Sequence, residues 1–226
     1  MRRLVALLAV LAVPVTLVSA DPPGLRVERE QRRVVIDAKI APRKLDDPKF
    51  EGKIYPIEVV ACWPFPKGQK AHETVVTIDV RPSEVHQALE SLGLKPGMPV
   101  MGESKEPPQG PEVLIYLEVP GPDGQPKRLS MDRVLIDPRT NKPLPKSVQW
   151  RFTGSALKQP DPNKPEKVYG ADTTGTLIAI FPVTNDTVIQ TNLTLKEEKY
   201  IKLETNAQLL PPVGTPVKLV IEVPKK

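Results

Sequence analysis

"IEVVACWPFPKGQKAHETVVTIDVRPSEVHQALESLGL", residues 57–94, holds three local patterns in succession. A β-branched run ends at Cys62, and a Pro- and Gly-broken connection follows. A second β-branched run covers His72 to Val80. The period then changes from two to nearly four. Val85, Ala88, Leu89 and Leu92 fall at i, i+3, i+4 and i+7, which makes one apolar helical stripe. Pro82 or Ser83 suits the helix start, Gly93 its left-handed stop, and Pro96 prevents resumption. The reading is strand 53–63, turn-rich loop, strand 72–80 and helix about 82–92, with the two strands forming a hairpin.

The rest of the chain adds strands and no further clear helix. "VVIDAKIA" (34–41), "EVLIYLEVP" (112–120), "VQWRFTGSA" (148–156), "GTLIAIFPV" (175–183) and "TPVKLVIEV" (215–223) all have strand composition. "QPKRLSMDRVLID" (125–137) pairs with 112–120 across the turn "GPDG". Asp137–Lys146 and Gln159–Pro165 are crowded with turn residues and read as exposed loops. The 28 prolines, against 13 glycines, fit many short strands joined by stiff loops. Strands and helices do not alternate, which argues against a doubly wound nucleotide-binding sheet. The fold class expected is α+β: β-rich, mostly antiparallel or mixed, with one early helix.

Residues 1–20 have the layout of a secretory signal. Arg2 and Arg3 precede an apolar run from Leu4 to Val18, and Val18-Ser19-Ala20 suits a cleavage site. The run is short for a membrane anchor, which needs about 20 apolar residues. The expected product is extracytoplasmic, periplasmic or secreted, with no membrane span after cleavage. Residues 21–33 read as a flexible lead-in, and 34–226 as a single domain. Loss of Arg2 and Arg3 lowers the net charge from +5 to +3. That mild excess is spread along the chain, so no nucleic-acid partner is expected.

Chemistry concentrates in residues 58–86. Cys62 is the only cysteine, so no internal disulfide forms. In a hairpin Cys62 lies opposite His72, and His86 follows in the helix. Cys62, His72, Glu73 and His86 are therefore the candidate metal or thiol site, with zinc or copper as the metal. A Cys–His nucleophilic pair is the second possibility. The third is packing alone, with Cys62 as a small buried hydrophobe and no cofactor. Trp63, Phe65, Lys67 and Lys70 make a candidate ligand platform, or a hydrophobic plug under the loop. No GxSxG, Walker loop, GxGxxG, HExxH or CxxC occurs.

Several separated blocks resemble the YdjY-like domain family. They are Cys62, Lys67-Gly68, Lys70, His72-Glu73, Asp79 to Ser83, His86 and "LGLKPGMPV" (92–100). "PPQGPEV" (107–113), "WRFTGS" (150–155), Phe181-Pro182 and "LLPPVGTPVKLVI" (209–221) follow in the same order. The resemblance covers 34–223. It implies an exported bacterial protein and brings no catalytic assignment. "WPFP" (63–66) is bulkier than the family pattern. Some members are described as ferredoxin-like, but a lone thiolate cannot hold an iron–sulfur cluster, which takes four. The expectation is a non-catalytic binding or structural module, its partner a protein or extracellular ligand. The alternative is a metal- or thiol-dependent site at Cys62/His72/His86.

Overall fold

The computed structural model describes residues 21–104 and 106–225. The expected signal segment, residues 1–20, lies outside the described residues. Ten strands make the main sheet: β1 Leu25–Glu28, β2 Arg33–Ile40, β3 Val59–Cys62, β4 Thr74–Ile78 and β5 Glu112–Pro120, then β6 Pro126–Ser130, β7 Trp150–Phe152, β8 Thr176–Ala179, β9 Ile189–Thr191 and β10 Pro216–Glu222. The long helix is α1, Pro82–Ser91; α2 Met131–Val134, α3 Gly170–Thr174 and α4 Leu195–Tyr200 are short. Among the described residues no helix is long and apolar enough to cross a membrane.

Eight of these strands close on themselves. The ring runs β2-β10-β5-β7-β9-β8-β3-β4, and β4 returns to β2 through Ala38↔Ile78 and Ile40↔Val76. β1 takes the part of the β2 edge that β4 does not reach, at residues 33–36. β6 takes the corresponding part of β5, at residues 116–120. Pairings are antiparallel except β3–β4 and β8–β9. The β-rich, mostly antiparallel α+β expectation therefore holds, with closure as the added feature. An eight-stranded barrel is just narrow enough for side chains to fill. Here Val34, Ile36, Ile115, Leu117, Leu219 and Ile221 do so, while Val35, Tyr116 and Val220 between them lie on the other face of the sheet. Outward charges pair across strands, as Lys218 with Asp37 at 2.6 Å.

α1 lies at the end where β2 and β5 begin and β10 ends. Its C-terminal Leu92 and Leu94 border the same cleft as Arg32, Glu112 and Val223. The apolar stripe faces inward: Val85, Ala88 and Leu89 belong to the barrel's own core cluster. Pro82 occupies the first turn, as expected, but Arg81 is the N-cap and its N–H donates to Glu84 Oε2 at 2.9 Å. Ser83 is therefore not the cap. Its N–H and hydroxyl both donate to the Asp172 carboxylate of α3, at 2.9 and 2.5 Å.

Two local expectations need correction. The stretch 21–33 is not a flexible lead-in, because it contains β1, whose Leu25 is buried and pairs with Ile36. The segments 53–63 and 72–80 do not form a hairpin. β3 and β4 run parallel, with Val59↔Thr74, Ala61↔Val76 and Cys62↔Thr77. Residues 63–73 must then travel back along the barrel to begin β4 beside the start of β3.

Candidate functional site

The crossover 63–73 places nearly every candidate residue, and it is pinned at its outward end. Trp63 donates its backbone N–H to the Gly175 carbonyl at 2.9 Å and its indole N–H to the Val80 carbonyl at 2.8 Å. The indole lies directly on Gly175, where a Cβ would come within 2.7 Å of three ring atoms. The chain then doubles back tightly. A Cβ on Gly68 would sit 1.9 Å from the Trp63 carbonyl oxygen, so only glycine allows this approach.

Beneath the crossover lies a second small core. A β-bulge between β3 and β8 interrupts the strand's alternation. Val60 and Ala61 join the barrel interior, whereas Val59 and Cys62 pack with Ala71 and Leu45 under the loop. Cys62 is 0% exposed. Burial, with Glu73 nearby, pushes its thiol up to about 12.

At the other end of the crossover the parallel register sets Glu58, just before β3, beside Glu73, just before β4. The Glu58 N–H donates to the Glu73 carbonyl at 3.1 Å. Lys70 joins the two side chains: its ammonium lies 3.3 Å from Glu58 Oε2 and against the Glu73 carboxylate. Burial works against the Lys70 charge, but the two carboxylates outweigh it and hold its pKa above the ordinary value. Burial and the neighbouring Glu73 raise Glu58 despite Lys70.

His72 projects from this end into an aromatic group. Its ring stacks on Phe50 at 4.8 Å and meets the edge of Tyr55 at 4.9 Å, while Phe65 packs on the other ring of the pair, Phe50, at 5.7 Å. Its Nε2 is 3.7 Å from Glu73 Oε2. Burial, then the Lys70 charge, lowers its pKa, which favours the neutral imidazole. Arg43 braces the surrounding loops. It binds the Glu204 carboxylate at 2.7 and 3.1 Å and also reaches the Tyr55 and His72 carbonyls.

His86 belongs to a different neighbourhood, past the opposite end of β4. Its Nδ1 is 2.6 Å from the Tyr169 hydroxyl and its Nε2 is 3.5 Å from Glu90. The ring packs edge-on against Phe152 at 5.0 Å. Parallel pairing thus separates what a hairpin would have gathered: Cys62 lies under the crossover, His72 at its inward end, and His86 on α1. Among the described residues no group of three or more His, Cys, Asp or Glu side chains is placed to hold a metal ion.

The platform residues also divide. Lys70 is the ion-pair bridge just described. Trp63, Phe65 and Lys67 border an open cleft of about 520 Å³, together with Asp79, Arg81 and the two intervening prolines. Phe65 is 39% exposed. Sequence reasoning missed Asp79 and Arg81 as neighbours of this ridge, and Tyr169 and Asp172 as partners of α1. The linkage between residues 79–83 and the ridge comes from strand order, for which the local sequence carries no signal.

No curated protein and no solved structure matches the chain. A protein-family match, to the YdjY domain, spans residues 25–222. It takes in β1 through β10, the crossover and α1, so the chain belongs to the YdjY domain family.

Proposed function

We propose that this protein is a non-catalytic binding or structural module that works outside the cytoplasm, and that its contact surface is the Trp63–Arg81 cleft. The observation carrying this reading is the burial of Cys62. A thiol with no exposed surface, whose pKa burial pushes up to about 12, supplies almost no nucleophilic thiolate at neutral pH. The thiol hydrogen-bonds to the Trp63 carbonyl at 3.1 Å and to neither imidazole: His72 lies among aromatics and His86 is held by Tyr169. The extracytoplasmic setting rests on the leader-like residues 1–20. The ridge, by contrast, is open and rigidly pinned, as recognition surfaces with low ordering cost are.

This reading expects no resident cofactor. Elemental analysis of the purified mature chain tests it against the metal alternative at Cys62, His72 and His86. The expected result is no stoichiometric zinc or copper, in the parent or in His72→Ala. Stoichiometric metal that disappears in His72→Ala would overturn the reading.

A further inference from the structure

The cleft beside the crossover has a chemical character that narrows its ligand. One wall is apolar, made by Phe65, the two prolines and the half-buried Trp63. Trp63 is fixed by two hydrogen bonds, so this wall needs little ordering on binding. The other wall is charged. Lys67 and Arg81 are exposed, and among the described residues neither forms an ion pair with a carboxylate. Asp79, also exposed, faces the same space.

The main chain here is a tight turn, closed by the Gly68 N–H on the Pro64 carbonyl at 3.0 Å, and strand addition needs an extended edge instead. Pro64 and Pro66 carry no N–H. The N–H groups of Trp63, Gly68, Gln69 and Ala71 are already bonded within the protein. The side chains of this ridge offer an apolar face for stacking, a carboxylate that accepts from hydroxyls, and two cations. Rings with an apolar C–H face, hydroxyls and a negative group match all three.

Resting on the binding-module reading above, we propose that this cleft binds an acidic saccharide. A sugar ring stacks on Phe65 and Trp63, its carboxylate lies between Lys67 and Arg81, and its hydroxyls donate to Asp79.

The test is a titration of the mature chain with trigalacturonate, and separately with maltotriose as the uncharged counterpart. Binding is followed through the two tryptophan indole N–H resonances. Trp63 reports the cleft, and Trp150, buried in β7, is the internal control. Trigalacturonate should shift the Trp63 signal and leave Trp150 in place, with binding that weakens as salt rises. Lys67→Ala and Arg81→Ala should each weaken binding roughly tenfold, and Phe65→Ala by a similar factor. All three positions are exposed, so an unchanged spectrum elsewhere verifies the fold. An unmoved Trp63 signal at millimolar trigalacturonate overturns the proposal. Equal binding of maltotriose also overturns it, by removing the role of the cations. A proline-rich peptide that shifts Trp63 where the saccharide does not would overturn the saccharide assignment and leave the binding module standing. Metal loading at His72 would overturn the module itself.

Discussion

Lys70→Met is expected to lower folding stability by about 3 kcal/mol at neutral pH. The change keeps the apolar stem and removes only the ammonium. It leaves Glu58 and Glu73 side by side without their shared cation. Removing one partner from a buried ion pair typically costs about 3–5 kcal/mol. The low end applies here because the Lys70 side chain keeps 27% of its exposure, while Glu73 keeps only 6%. The penalty should depend on pH with a definite sign. Glu58 is already raised in the folded protein, by burial first and Glu73 second, and Lys70 opposes that rise. A carboxyl whose folded pKa lies above its unfolded value favours folding most where it is protonated, and that contribution is lost as pH rises through the folded pKa. Without Lys70 the folded pKa moves higher still. The deficit of Lys70→Met relative to the parent should therefore be greatest at neutral pH and shrink as pH falls toward the ordinary glutamate range. Urea melts of both proteins across that range measure it. A deficit that is constant with pH, or grows on acidification, would show that the two carboxylates do not depend on Lys70.

Leu89→Ala should cost about 2–5 kcal/mol, the range for a truncated core leucine. Leu89 is 0% exposed, and it reaches the barrel's core cluster from α1 along with Val85 and Ala88. The barrel's strands are fixed by their ladder, so the space left at this end collapses only partly and the cavity term stays large. Equilibrium denaturation measures the loss. A change near zero would mean that α1 lies on the surface and does not close the barrel.

The two variants separate what was legible in the sequence from what was not. The stripe of α1 was legible because helical period is a local property: Val85, Ala88 and Leu89 announce their face without knowledge of the partner. The strand composition of β5 and β10 is legible for the same reason. Barrel closure was not, since it rests on β2 meeting β4 and β5 meeting β7, pairings that local pattern does not encode. The β3–β4 connection differs from the expected hairpin because "PFPKGQK" has hairpin composition, and a parallel return usually carries a helix. Here Gly68 and Gly175 permit a tight return without one, by admitting the Trp63 carbonyl and the Trp63 ring. That single change of direction rearranged the candidate site. It set Glu58 against Glu73, took Lys70 from the candidate platform to bridge them, and parted His86 from Cys62. In residues 21–33 charged neighbours mask the strand alternation of Leu25 and Val27, so β1 has the composition of a loose segment.

Everything functional here depends on the crossover sealing Cys62. Titration of the native chain with an aromatic disulfide reagent reads that directly, with the denatured chain as reference. The account predicts no reactive thiol in the native protein at neutral pH and one on unfolding. A native thiol that reacts as fast as the unfolded one would contradict it, and would return Cys62 to consideration as a reactive centre.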